Sequence, residues 1–170
     1  MQNFVSNEIN KRKERLYDLS DRIWEYAETL YTEYKSSAAI MEVLKEEGFE
    51  VKGNTGGIET AFTGSFGTGA PVIGILGEYD ALSYMSQVAG VAQKEPLVDG
   101  APGHGCGHNL LGVGALAAAI AVKEYLKEYN KQLKITSPFF FKRSNHFKKK
   151  SIPYIWIWRK LRINILATRG

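Results

Sequence analysis

The sequence predicts a layered α/β fold, and three observations lead to that prediction. Amphipathic helical patterns fill most of the first fifty residues. Short alternating segments follow, and then APVIGILGEYD, which is apolar on both sides of the alternation like a strand covered on both faces. A long apolar helical pattern comes after a glycine-rich loop. Helices that alternate with strands in this way favour a sheet covered by helices.

Two helices are predicted at the amino-terminal end. The first runs from about Asn7 to Leu30, and its apolar stripe consists of Ile9, Leu16, Leu19, Ile23 and Ala27. The second begins near Ser36, whose hydroxyl is expected to cap it, and Gly48 is its stop signal.

The middle of the chain is predicted to form strands, and the next part a loop and a helix. Phe49–Lys52 and Ile58–Phe62 alternate like short strands around the turn sequence GNTGG. Val72–Leu76 is expected to be a central, fully covered strand. Leu82–Gly103 reads as an irregular loop, and Asn109–Tyr129 as a long helix.

Composition favours a soluble globular protein. Of the 170 residues, 44% are hydrophobic and 24% are charged. The apolar run Leu110–Val122 is shorter than the roughly 20 residues that cross a bilayer. The amino terminus lacks the apolar segment of a secretory signal. Because Cys106 is the only cysteine, no internal disulfide can form, and we expect a cytoplasmic protein.

Charge divides the chain into two compositions at about residue 134. Residues 134–170 contain ten Lys or Arg and no Asp or Glu, which leaves 12 basic and 18 acidic residues before them, a net charge of −6. Only one of the 17 glycines, Gly170, lies in the later part. We therefore predict a domain over 1–133 and an unrelated basic, aromatic tail over 134–170.

The motif GHGCGHN, from Gly103 to Asn109, concentrates residues that bind metals. Two of the three histidines, His104 and His108, lie beside the only cysteine. In an extended loop, Cys106 and His108 would point the same way, and thiolate and imidazole are good zinc ligands. Two other interpretations stay open: a glycine-rich turn with incidental polar residues, or a nucleophilic Cys106 with a histidine base.

The motif GILGEYDALS places two acids directly after the predicted buried strand. Glu78 and Asp80 are two residues apart and so lie on one side of an extended segment. Ligands in open α/β sheets collect beyond the carboxyl ends of strands, where an acid can bind a cation or orient a histidine. The alternative is a strand that ends in solvent, where carboxylates are ordinary.

These motifs, with the intervening loop and the following helix through KEYL, resemble the metallopeptidases of the aminoacylase and carboxypeptidase type, peptidase family M20, and within it the aminobenzoyl-glutamate hydrolase B-subunit group. The resemblance covers about Leu16 to Leu133 and is densest from Gly74 onward. It implies the amino-terminal portion of a zinc-peptidase-like, three-layer catalytic domain with a mostly parallel central sheet.

The resemblance also implies roles for individual residues. Cys106 and His108 match the metal-ligand pair of the family, and Asp80 matches its active-site acid. Glu78, His104 and Asn109 are expected to support the metal or contact substrate. Zinc or manganese would activate water to hydrolyse the amide bond of an N-acyl amino acid. Family members form homo- or hetero-oligomers.

The family pattern stops near residue 134. The Glu-Glu segment that supplies its general base, and its small lid and dimerisation domain, have no counterpart in this sequence. We therefore expect this chain to be inactive, and we hypothesise that the tail is translated from a shifted reading frame, which sequencing of the coding DNA would test.

Two functions of other classes remain as alternatives. The chain could act as a non-catalytic fragment or subunit of a larger hydrolase. The tail interleaves its ten positive charges with aromatic residues, so it could bind nucleic acid or an anionic membrane surface, but its prolines argue against an amphipathic helix. We expect neither nucleic acid nor membrane to be a partner.

Overall fold

The computed structural model describes residues 2–139, which form four α-helices and four strands. The helices are α1 (Gln2–Asn10), α2 (Lys13–Tyr26), α3 (Tyr34–Glu46) and α4 (His108–Glu128). The strands are β1 (Glu50–Lys52), β2 (Phe62–Phe66), β3 (Val72–Gly74) and β4 (Lys134–Phe139). The predicted α/β class is confirmed.

The four strands form one sheet in the order β1-β2-β4-β3. β2 pairs antiparallel with both β1 and β4, whereas β3 pairs parallel with β4. The described part of the sheet is therefore mixed, and the expectation of a mostly parallel sheet does not hold for it. Parallel pairing requires a crossover, and α4 provides it between β3 and β4.

β4 lies inside the sheet although the change in composition places its sequence in the tail. It pairs with β2 on one side and with β3 on the other. Ile135 and Phe139 are completely buried, and Phe139 stacks on Phe62 with ring centroids 4.9 Å apart. The domain therefore extends past the predicted boundary at Leu133, and Phe139 is not available to stack on a nucleic-acid base. The rest of the predicted tail, residues 140–170, lies outside the described residues.

β3 is shorter and more exposed than predicted. Within residues 2–139 it forms the edge of the sheet, and Ile73 and Leu76 keep 39% and 37% of their surface accessible. β4 takes the central place that the sequence predicts for Val72–Leu76. The predicted strand Ile58–Phe62 is also displaced, since β2 begins where that prediction ends, after the 3₁₀ turn Thr55–Gly57.

The amino-terminal helices differ from the prediction at their ends. Where the sequence predicts one first helix, the structure has two, α1 and α2. α2 ends at Tyr26 because Ala27 adopts a left-handed conformation. α3 begins at Tyr34, so Ser36 lies inside it rather than at its cap. The Glu28 carboxylate instead accepts hydrogen bonds from the Ser36 backbone N–H and hydroxyl, both at 2.8 Å. An acid in contact with the first turn favours the positive end of the helix.

The core lies between the sheet and the helices. α3 packs against β1 and β2, α4 packs against β4, and α2 contacts both α3 and α4. The most deeply buried aliphatic side chains are Leu19, Ile23, Ile40, Leu44, Leu116, Ile120 and Ile135. Among the described helices, α4 alone is long and apolar enough to cross a membrane, but 61% of its apolar window is buried inside this domain. This burial is that of a core helix.

Candidate metal site

The two sequence motifs meet side by side, joined by backbone hydrogen bonds. Leu82 and Gly103 exchange bonds of 2.9 and 3.0 Å, so the chain after Asp80 runs antiparallel to the start of GHGCGHN. A side chain at Gly103 would begin only 2.1 Å from the carbonyl oxygen of Met85. This contact explains the glycine there, since no Cβ fits so close to the backbone. The predicted irregular loop between the two residues is observed, with no helix or strand.

Asp80 and His108 form the centre of the site. His108 Nδ1 lies 2.7 Å from Asp80 Oδ1, and Asp80 is 2% exposed. A carboxylate can only accept, so Nδ1–H donates, and the neutral ring keeps its lone pair on Nε2. This is how proteins orient a histidine that binds a metal through its other nitrogen.

Glu78 lies at the other nitrogen of the same ring. Its Oε2 is 3.6 Å from His108 Nε2. Two ligand atoms on one tetrahedral zinc, with bonds of about 2.0–2.1 Å, are about 3.4 Å apart. The separation of this carboxylate oxygen and this imidazole nitrogen therefore fits a shared divalent cation, with Asp80 behind the ring.

Cys106 is placed differently from the prediction. His104–Gly107 form a turn, closed by a 3.0 Å bond from Gly107 N–H to His104 O, and His108 is the first residue of α4. The extended loop that would point Cys106 and His108 the same way is thus absent. Cys106 is an exposed free thiol, and among residues 2–139 no three His, Cys, Asp or Glu side chains are grouped to hold a metal. Its role as a ligand stays a prediction.

His104 binds the loop to α2. Its Nε2–H donates to the backbone oxygen of Ile23 at 3.0 Å, at the last turn of that helix. Its Nδ1 is buried and has no hydrogen-bond partner. Burial lowers the pKa of His104, although the bond to Ile23 acts in the opposite direction. A neutral ring that carries its proton on Nε2 and its lone pair on Nδ1 is consistent with both observations.

Asn109 provides a second connection to α2. Its side-chain N–H₂ donates to the Ser20 hydroxyl at 3.2 Å and lies 3.4 Å from the Ser20 carbonyl oxygen. His104 and Asn109 therefore flank Cys106 and His108 and bind to neighbouring turns of α2. The sequence predicts supporting or substrate roles for both residues, and the structure shows contacts with protein groups.

A buried polar network behind the site is not predicted from sequence. Tyr79, between Glu78 and Asp80 in the sequence, is buried, and its hydroxyl donates to the Thr60 carbonyl oxygen. The Thr60 hydroxyl donates to Glu33 at 2.8 Å, and burial raises the pKa of that glutamate. The Ala81 N–H donates to the Glu28 carbonyl at 2.8 Å. No motif marks Glu28, Glu33 or Thr60, because their contacts span long stretches of chain.

Comparisons with known proteins agree with this fold. The chain is 48% identical over 126 residues to the B subunit of p-aminobenzoyl-glutamate hydrolase from Escherichia coli strain K12, a match that covers 74% of this chain and 26% of that protein. An aminohydrolase-like structure from methicillin resistant Staphylococcus aureus matches 82% of this chain and 34% of its own, at TM-score 0.66 and 17% identity. A Bacillus subtilis protein, described as a dinuclear metal binding peptidase from the M20 family, matches 82% of this chain and 36% of its own, at TM-score 0.61 and 20% identity. No family model matches the chain.

The fold is therefore that of the amino-terminal portion of a metallopeptidase catalytic domain. The chain is similar in sequence to the B subunit of that hydrolase, and it is similar in fold to a peptidase of the M20 family. It spans about a quarter of the length of that relative.

Proposed function

We propose that this chain carries part of the metal site of an amide hydrolase that acts on N-acyl amino acids. The observation that supports this most is the arrangement of Asp80, His108 and Glu78, with the His108 ring held at 2.7 Å by one carboxylate and lying 3.6 Å from the other. A carboxylate, an imidazole and an orienting second carboxylate are the groups that hold a catalytic divalent cation.

Each residue has a distinct role in this proposal. His108 Nε2 and Glu78 would hold the cation, zinc or manganese, and Cys106 would join them as a further ligand. Asp80 fixes the orientation of the ring through its hydrogen bond to Nδ1. The bound cation supplies a water of lowered pKa and polarises the scissile carbonyl. This proposal makes Glu78 a metal ligand, whereas the sequence predicts that it supports the metal or contacts substrate.

The name of the relative supports a proposal for the substrate class and the partners. The name p-aminobenzoyl-glutamate hydrolase describes the cleavage of an amide between an aryl acid and an amino acid. We propose a small substrate of this kind, and assembly with copies of itself or with a different chain, because the relative is itself named as a subunit. We also propose a cytoplasmic location. No observation on residues 2–139 favours nucleic acid or membrane as the partner.

For this chain by itself we propose metal binding without turnover. The residues brought together at the site are one imidazole and two carboxylates, and Asp80 is already engaged by His108. A hydrolase of this chemistry also needs a base to deprotonate the bound water. Two or three ligands hold a cation more weakly than a complete site.

The test is zinc and manganese binding by the whole 170-residue chain, together with an assay of aminobenzoyl-glutamate hydrolysis. We expect binding of one cation that is weakened at least about tenfold by Glu78→Gln and by His108→Ala. Glu128→Gln, at the exposed far end of α4, is the matched control and should bind as the wild type does. Equal binding by all variants would contradict the proposed site, and measurable turnover would contradict the expectation of an inactive chain.

A further inference from the structure

α4 lies unusually close to residues 77–80, along a line of contacts that ends at the candidate metal site. A Cβ at Gly77 would lie 3.2 Å from the Cβ of Ala115. A Cβ at Gly112 would lie 2.8 Å from the carbonyl oxygen of Glu78 and 3.1 Å from the Cβ of Tyr79. The third contact is the hydrogen bond between Asp80 and His108 at 2.7 Å.

The spacing of these contacts is matched on the two elements. Four residues of an α-helix advance about 6 Å, which is the distance from His108 to Gly112 along the axis. Two residues of extended chain advance about 6.6 Å, which separates Glu78 from Asp80. Because the two repeats nearly coincide, His108 and Gly112 face the extended segment together. We therefore expect a movement of α4 at one contact to displace the other.

We propose that Gly112 is a positioning residue of the metal site, and that its missing side chain sets the distance between α4 and residues 78–80. Its backbone does not adopt the left-handed conformation that demands glycine, since it lies inside α4 and is not among the glycines with positive φ. Glycine in a helix interior destabilises the helix relative to alanine. The space opposite Glu78, rather than the backbone conformation, therefore accounts for it.

A methyl group at Gly112 has no room. Its nearest neighbours are the Glu78 backbone oxygen and the Tyr79 Cβ, neither of which is the flexible end of a side chain. The helix or the extended segment must move by about half an ångström to reach ordinary van der Waals distance. Such a movement acts directly on the Asp80–His108 hydrogen bond, because His108 lies one turn away on the same face of α4.

Gly114 offers a matched control on the same helix. A Cβ there meets no atom within 4 Å. Gly112→Ala and Gly114→Ala therefore make the same chemical change two residues apart, and both raise the intrinsic helix propensity. Only the first of them enters the contact with Glu78.

The experiment compares the whole chain and both variants by ¹⁵N NMR of the His108 ring without metal, and by zinc affinity in competition with a chelator. In the wild type and Gly114→Ala we expect the Nδ1–H tautomer and equal zinc affinity. In Gly112→Ala we expect a mixture of tautomers and zinc affinity lower by about 10- to 100-fold. A folded Gly112→Ala protein with wild-type ring shifts would overturn the proposal.

Two further measurements keep the test decisive. If Gly112→Ala does not fold, the double variant Gly112→Ala/Gly114→Ala adds helix propensity and is compared with Gly114→Ala. In the wild type we expect a strong NOE between the Gly112 Hα and Tyr79 Hβ protons, and its absence overturns the proposal whatever the variants do. The metal readout rests on the proposed function: if the wild type binds no zinc but the ring shifts respond as expected, the proposed function fails and the role of Gly112 stands.

Discussion

At the scale of single residues, the candidate metal site places the His108 imidazole between the carboxylates of Asp80 and Glu78. Two motifs single out Glu78, Asp80 and His108, and the structure brings all three together. The placement of Cys106 could not be predicted, because Gly107 adopts φ 73° and the chain enters a helix there instead of an extended loop. A glycine permits both conformations, so its presence does not decide between them.

Replacing Asp80 by Asn tests the orientation of His108. The amide oxygen can still accept from Nδ1–H, but the negative charge behind the imidazole, which favours a bound cation, is lost. We expect zinc affinity to fall by about 10- to 100-fold with the fold retained, measured by chelator competition and circular dichroism. Asp99→Asn, on the exposed loop, should change neither quantity.

At the scale of elements, α2 acts as a support for the loop that carries the site. His104 and Asn109 bind Ile23 and Ser20, so one helix fixes both ends of the segment containing Cys106 and His108. Sequence periodicity correctly predicts α4 to within a residue at each end and gives the buried stripe of α2. It could not pair Asn109 with Ser20, since nothing in the local pattern connects residues 89 positions apart.

The connection between Asn109 and Ser20 should be measurable as a coupling energy. Removing a buried hydrogen bond of this kind costs about 1 kcal/mol or more. We expect Asn109→Ala and Ser20→Ala each to lower the free energy of unfolding in urea. Because both changes delete the same bond, the double variant should lose less than the sum of the single losses. Additive losses would show that the two side chains do not interact.

A second contact between elements joins the end of α3 to α4. Lys123 is only 3% exposed, and its ammonium group donates to the Glu47 carboxylate at 2.9 Å. Arg12 donates to the same carboxylate at 2.7 Å. Burial alone would raise the pKa of Glu47, but these two hydrogen bonds lower it on balance. The ionised form is therefore the one that stabilises the fold.

The lowered pKa of Glu47 fixes the pH dependence of its contribution. A depressed folded-state pKa gives stability that is present above the unfolded value, about 4.5, and is lost as pH falls through the folded value. Glu47→Gln should thus lower the free energy of unfolding at pH 7 by about 1–3 kcal/mol. The difference from wild type should shrink below pH 4.5, whereas the exposed Glu25→Gln control should show little difference at any pH.

At the scale of the whole molecule, the sequence predicts the class of fold but not the order of strands. Strand order depends on which distant segments pair, and no local pattern distinguishes a central strand from an edge strand of similar composition. The composition changes at Lys134–Phe139 and so predicts a tail there, yet these residues pair on both sides. The change in composition therefore does not coincide with a structural boundary.

Two shortened chains separate the predicted boundary from the observed one. A chain that stops at Leu133 lacks β4, so β2 and β3 lose their common partner and Phe62 loses its stacked ring. We expect it to be unfolded or aggregated, because an unpaired strand edge and an exposed core remain. A chain that stops at Phe139 should retain the cooperative unfolding of the full chain, measured by circular dichroism. Equal stability of the two would refute the central position of β4.

The late position of β4 in the sequence has a consequence during protein synthesis. β1 and β2 can form a hairpin as soon as both have left the ribosome. Within residues 2–139, β3 pairs only with β4, so its partner arrives only with residues 134–136. Nearly the whole described domain must therefore be synthesised before β4 can join β2 and β3 in one sheet. During that interval the apolar segments of the nascent chain are exposed and can be bound by chaperones.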